Sequence, residues 1–307
     1  MIGETELKQN IEKQTSYSVE AAKIISGSET STTAVYRVRL SEGGIRFVRV
    51  LTEDWRDNLS AVSNVGPKYG FPPSTIIDAE PPLLLMERAP GHPLSRVLPA
   101  VLLPGVWALT KGSIMNGISN LGRFLGRLHN DTSSGMKPLS DTQTIPKLPN
   151  ILDQIRDDIT GVERIKDEFN SISNDSVQCA RIHADPTPHN VFYHHESVNL
   201  IDFDLREDAI IIDQVRAERG LELMADRLPY CGSNKKQQLV REFRNGYHSE
   251  IEELQTKDQF DLIRCVLDCY LLSRYLTRQS QKRGARITKR TDVNILKNRI
   301  TEYTSTQ

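Results

Sequence analysis

His183-Ala184-Asp185-Pro186-Thr187-Pro188-His189-Asn190, followed by Leu200-Ile201-Asp202-Phe203-Asp204, is the stretch on which the reading of this chain turns. Asn190 to Tyr193 and Asn199 to Asp204 are apolar runs on either side of His194-His195-Glu196-Ser197, the pattern of a β-hairpin. Such a ribbon carries two carboxylates and one amide at its rims. Phosphoryl transfer needs that set: a carboxylate that orients an acceptor hydroxyl and takes its proton, and hard oxygen ligands that hold Mg²⁺ against a triphosphate. Asp185 is the candidate for the first role, and Asn190 and Asp202 are the candidate metal ligands, so ATP and Mg²⁺ are the implied cofactors. Pro186 and Pro188 stiffen the loop between them. His183 joins the catalytic set as the residue expected to organise that loop through hydrogen bonds.

Upstream of the ribbon, Ala34 to Leu40 and Ile45 to Leu51 are rich in β-branched and aromatic residues and are split by the turn Ser41-Glu42-Gly43-Gly44. A helix is expected over Asp54 to Val65, and two more strands around Thr75 to Asp78 and Leu83 to Glu87. The first hundred residues are therefore read as mostly β. From about Ser113 the period changes: Ile118, Leu121, Phe124, Leu125 and Leu128 share one helical face, with His129 as a C-terminal cap. Helices are also expected at Ile151 to Phe169, Lys236 to Leu254 and Gln259 to Gln279. At 307 residues two lobes are the default.

Composition narrows the class of activity. A formal net charge of −1 gives no overall reason to bind nucleic acid. The seven basic residues between Gln281 and Ile300 lack interleaved aromatics for stacking on bases, so they read as a solvated tail. The most apolar stretch, Leu83 to Leu109, is broken by Glu87, Arg88, His92, Arg96 and prolines, which excludes a spanning helix of about 20 apolar residues. The polar start lacks a secretory pattern, and the four scattered cysteines read as reduced thiols, so a cytoplasmic protein without membrane contact is expected. His194-His195 and Cys265/Cys269 lack the partners of a zinc site and read as a hairpin tip and small core residues.

The order His-x-Asp, four residues, Asn, hairpin, then hydrophobic-Asp-aromatic-acidic resembles the aminoglycoside phosphotransferase and choline kinase-like family. LLLMERAPGHPL at positions 83–94 is similar to the family's hinge, and LGRFLGRLH at positions 121–129 to its first large-lobe helix. The resemblance implies an α+β, two-lobed protein-kinase-like fold. Residues 1–90 would be a small, mainly antiparallel β N-lobe that binds nucleotide, and residues 91–307 a larger, mainly helical C-lobe with the catalytic loop and acceptor site. It also implies an ATP-dependent phosphotransferase whose partner is a small-molecule hydroxyl acceptor: an aminoglycoside, choline, amino-alcohol or sugar-like compound.

By the same resemblance, adenine meets backbone groups from Glu87 to Ala89, and Ile25 to Thr33, with Gly27 and Ser28, covers the phosphates. Arg49 stands where the family has a strand-three lysine, with Glu53, Asp54 or Asp57 as its acidic partner, and Asp213 braces the catalytic loop. A catalytically impaired nucleotide-binding scaffold of the same fold is the alternative that Arg49 motivates. Asp202-Phe203-Asp204, without an activation segment ending in Ala-Pro-Glu, argues against a protein kinase. Glu218, Glu222, Asp226 and Tyr230 are expected to form an acidic wall that suits a cationic acceptor.

Overall fold

The computed structural model describes residues 2–26, 34–52, 63–147, 149–155, 159, 161–252, 257–281 and 287–306. The chain opens with a helix, α1 (Glu4–Gln14), where the sequence reading had only a polar segment. Leu7 and Ile11, four apart, fall on one side of it and are fully buried. They pack against one face of a five-stranded antiparallel sheet built from β1 (Val19–Ser26), β2 (Val35–Leu40), β3 (Ile45–Val50), β4 (Ser74–Ile77) and β5 (Leu83–Glu87), in the order β1-β2-β3-β5-β4. Alternation along the strands sorts the two faces. Tyr36, Val38, Leu40, Val48 and Val50 point toward α1, and the Tyr36 hydroxyl donates to the Ile2 carbonyl at 2.8 Å. Arg49, paired with Val35 on one side and Leu84 on the other, lies out of phase with them, in the middle of the sheet. Leu84 belongs to the next core, with Phe71, Leu200 and Phe203.

Beyond β5 the chain forms β6 (His92–Pro93), α2 (Leu94–Val101) and the long α3 (Pro104–Asp131). β7 (Gly135–Pro138) follows, then the single turn α4 (Pro149–Leu152) and α5 (Val162–Ser171). The expected helix over Ile151 to Phe169 is thus divided: Gly161, at φ +89°, stands in the left-handed region immediately before α5. β8 (Ser176–Arg181) pairs with β7 and, on its other edge, β11 (Glu207–Ala209). The ribbon itself is β9 (Val191–His194) and β10 (Ser197–Leu200), and β9 also pairs with β6. His195 and Glu196 form its two-residue turn with φ of 44° and 70°, both positive as a tight hairpin turn requires. The second strand was expected to run to Asp204 but stops at Leu200, because Asp202 at φ +58° cannot continue a strand.

α6 (Ile211–Asp226), α7 (Ser233–His248), α8 (Lys257–Gln281) and α9 (Ile287–Thr306) complete the larger lobe. α3 and α7 meet backbone to backbone: a Cβ at Gly246 would lie 1.9 Å from the Ser119 carbonyl oxygen. In α9, Leu296 and Ile300 are buried and Arg299 pairs with Glu222 and Asp226, so the end of the basic segment is a docked helix and not a solvated tail. The four cysteines are free thiols. Among the described residues no helix is long and apolar enough to cross a membrane.

Candidate functional site

The loop 183–190 is held from below by one buried carboxylate. Asp213, on the first turn of α6, accepts the His183 N–H at 2.6 Å on one oxygen and the Ala184 N–H at 2.7 Å on the other. His129 Nε2 approaches the first of these oxygens at 3.1 Å, while His129 Nδ1 lies 2.8 Å from the Tyr247 hydroxyl. His129 therefore ties α3 and α7 to this brace, a larger part than that of a helix cap. Burial alone pushes the Asp213 carboxyl toward its neutral form, but the hydrogen bonds from His129 and from the His183 main-chain N–H outweigh it and hold the pKa below the ordinary value.

One turn further along α6, Arg216 donates to the Ala184 carbonyl. The two α6 side chains thus grip both sides of a residue at φ +75°, a conformation that a non-glycine residue keeps only when its surroundings enforce it. Sequence reading did not find Arg216. The signal was its spacing of three from Asp213, which puts both on one helix face.

His183 is fully buried, and burial lowers its pKa, so its ring is neutral. Its Nδ1 accepts the Asp185 N–H at 3.3 Å. Phe203 lies against Phe71, ring centroids 4.4 Å apart, and meets the His183 ring edge-on at 6.4 Å. This apolar wedge anchors the residue after Asp202.

The three candidate residues come together at the mouth of the ribbon. The Asn190 amide donates at 3.0 Å to the Asp185 carboxylate and at 3.0 Å to the Asp185 carbonyl. The Asn190 carbonyl accepts the Ile201 N–H at 2.9 Å, which places Asp202 beside it. Arg49 reaches down from the sheet and donates to Asp202 Oδ1 at 2.8 Å and to the Phe203 carbonyl at 3.4 Å. Burial pulls the Arg49 pKa down, partly offset by Asp202 and Asp204. Glu87 ends β5 and pairs with Arg46 at 3.3 Å, and Ala89 follows, buried. Gly27 and Ser28, the rest of 27–33, and Glu53, Asp54 and Asp57 lie outside the described residues.

Beside Asp185 opens a cavity of about 330 Å³ between the loop 183–190, α6 and α8. Gly220 lets the loop sit on the helix: a Cβ there would lie 2.4 Å from Pro188 Cδ. The expected acidic wall is not on this cavity. Glu218 is buried against Arg244 at 2.7 Å. Glu222 pairs with Arg219 and Arg264, Asp226 with Lys236 and Arg299, and the Tyr230 hydroxyl donates to the Pro99 carbonyl at 2.7 Å. Helical periodicity turned these acids to the other side of α6, where arginines of α7, α8 and α9 meet them.

No family model and no curated protein matches this chain. Solved structures do resemble it. A glucosamine kinase in complex with glucosamine, ADP and inorganic phosphate superposes with a TM-score of 0.65 at 14% identity, over 92% of this chain and 79% of that one. An amicoumacin kinase in complex with AMP-PNP and Ca²⁺ gives 0.59 at 14%, over 92% and 88%. A choline kinase from Streptococcus pneumoniae gives 0.55 at 12%, over 93% and 94%. These neighbours are small-molecule kinases of the aminoglycoside phosphotransferase and choline kinase-like family, and the chain shares their α+β, protein-kinase-like fold.

Proposed function

We propose that this protein transfers the γ-phosphoryl group of ATP to a hydroxyl of a small molecule, with residues 1–90 as the nucleotide-binding lobe and 91–307 carrying the catalytic loop and acceptor site. The observation that carries the reading is the bridge Asp185–Asn190–Ile201, which sets the base candidate beside Asp202 while Arg49 reaches the same carboxylate from the sheet. Asp185 lines the cavity, so an acceptor hydroxyl seated there meets its carboxylate. In the transfer the hydroxyl oxygen bonds to the γ-phosphorus, its proton passes to Asp185, and the bond from γ-phosphorus to the β–γ bridging oxygen breaks to release ADP. His183 holds the Asp185 main chain in place, and Arg49 supplies positive charge for the phosphates. By the family resemblance, backbone groups from Glu87 to Ala89 would meet the adenine and Gly27 and Ser28 would cover the phosphates.

The donor set fits Mg²⁺. Asn190 spends its N–H donors on Asp185 and leaves its oxygen, and Asp202 has a second carboxylate oxygen besides the one that Arg49 contacts. Among the described residues no three His, Cys, Asp or Glu side chains could hold a metal by themselves. Two protein oxygens completed by phosphate and water oxygens is how Mg²⁺ is usually held, and the ion supplies charge to offset that on the transferring group.

The test is Mg²⁺-dependent ADP release across a panel of hydroxylated small molecules, with Asp185→Ala alongside. At least a 10³-fold loss of turnover with ADP affinity kept supports Asp185 as the base. The Arg49–Asp202 ion pair favours one second reading, a nucleotide-binding scaffold in which that carboxylate stays with the arginine. Nucleotide binding without phosphorylation of any acceptor would select it.

A further inference from the structure

More arginines than carboxylates line the cavity beside Asp185. Among the described residues that line it, Asp185 is the single carboxylate, whereas Arg216 and Arg219 line it from α6 and Arg227 from just past its end. These arginines are not equivalent. Arg219, 9% exposed, is held by Glu222 and Asp268, and its Nε has no hydrogen-bond partner. Arg216 forms no ion pair among the described residues: one N–H goes to the Ala184 carbonyl, and the guanidinium lies 5.9 Å from the centre of the Tyr270 ring. Arg216 lines the open cleft together with the apolar side chains of Val215, Leu223 and Leu267.

A cation brought into that space would meet the Arg216 guanidinium at close range, while Glu218, Glu222 and Asp226 are taken up by Arg244, Arg219 and Arg299. An oxyanion gains what the cation loses. The planar fork of an arginine matches a carboxylate or a phosphate with two parallel N–H donors, which a point charge cannot. Arg216 holds the carbonyl of the residue before Asp185, so an anion on its fork lies next to the catalytic carboxylate, with the acceptor's hydroxyl toward Asp185 and its body along the apolar wall.

We propose that the acceptor of this site is a hydroxyl compound that carries an oxyanion, a carboxylate or a phosphate, and that Arg216 is its specificity-determining residue. The inference rests on the phosphotransferase reading for the fate of the hydroxyl, but the charge selectivity can be measured without it. Calorimetric titration of the full chain, saturated with ADP, uses four ligands of similar body: glucose, glucosamine, glucuronate and glucose 6-phosphate. Glucuronate, glucose 6-phosphate or both should bind at least tenfold tighter than glucose, with glucosamine weakest, and the better of the two acids tells carboxylate from phosphate. Arg216→Gln should cut the preference to twofold or less, and Arg216→Lys, which keeps the charge but not the fork, should leave an intermediate preference.

Glucosamine binding tightest, or an acid preference that survives Arg216→Gln, overturns the proposal. The ranking in the unaltered protein stands whether or not the variant folds. Parallel ADP release from ATP separates the two readings. Preferential phosphorylation of glucosamine sinks the anionic acceptor and leaves the kinase standing. Arg216-dependent binding of an acid with no phosphorylation of any ligand sinks the kinase and leaves the anion pocket.

Discussion

Asp213 shows how much a single side chain can organise. Its two oxygens accept two adjacent main-chain N–H groups, and one of them also meets His129, so an acceptor-only group is required at both positions. Asp213→Asn keeps the shape but turns an NH₂ group toward a buried N–H, leaving that donor unpaired. A cost of about 2–3 kcal/mol in urea unfolding is expected. Because Ala184 and Asp185 would drift with it, kcat should fall more than the acceptor KM rises, and a variant with unchanged kcat would show that the brace does not position Asp185. This residue was placed in the sequence by family resemblance. The bracing roles of His129, Tyr247 and Arg216 around it were not, since they depend on α3, α6 and α7 meeting at one point, which no local pattern encodes.

At the level of elements, the approach of α3 and α7 allows a paired test. Gly246 faces the Ser119 carbonyl with no room for a methyl group, whereas Gly112, in the exposed first half of α3, has nothing within 4 Å. Gly246→Ala should lower stability by about 4 kcal/mol or more, and Gly112→Ala should raise it by up to about 1 kcal/mol through helix propensity alone. Equal effects in thermal melts would contradict the close crossing.

The knot of α6, α8 and α9 around Glu222 has a pH signature. Burial opposes ionisation there, but Arg219, Arg264 and Arg299 hold the pKa near 2, against 4.5 unperturbed. A carboxyl depressed in the folded state contributes stability that is whole above about pH 4.5 and is lost as the pH falls through about 2. Glu222→Gln should therefore cost on the order of 3 kcal/mol at pH 7 and progressively less below pH 4.5, as measured by urea unfolding across that range. Strand pairs β2/β3 and β4/β5 and the ribbon were legible because alternation and turn residues are local. α1 was hidden by a polar composition in which only Leu7 and Ile11 carry the period, and α9 by basic residues whose partners lie on other helices.

Over the whole molecule, the two lobes are joined at the site by Arg49 and Asp202. Asp202 is 58% exposed at its side chain, so the ion pair itself adds less than about 1 kcal/mol, and Asp202→Asn should leave the unliganded fold intact. That makes Asp202 a clean probe of how the fold responds to ADP and Mg²⁺. ADP that binds only the folded chain stabilises it by mass action, about 2.7 kcal/mol at a hundredfold excess over Kd, or about 5 °C in Tm for a chain of this size. If Asn190 and Asp202 hold the ion, Mg²⁺ tightens ADP in the unaltered protein, so the Tm shift at fixed ADP should shrink when the metal is chelated. In Asp202→Asn the shifts with and without Mg²⁺ should coincide, because one of two protein oxygens has lost its charge. A variant that kept the full metal-dependent shift would move the ion elsewhere and leave the Arg49–Asp202 pair as a purely structural tie between sheet and ribbon.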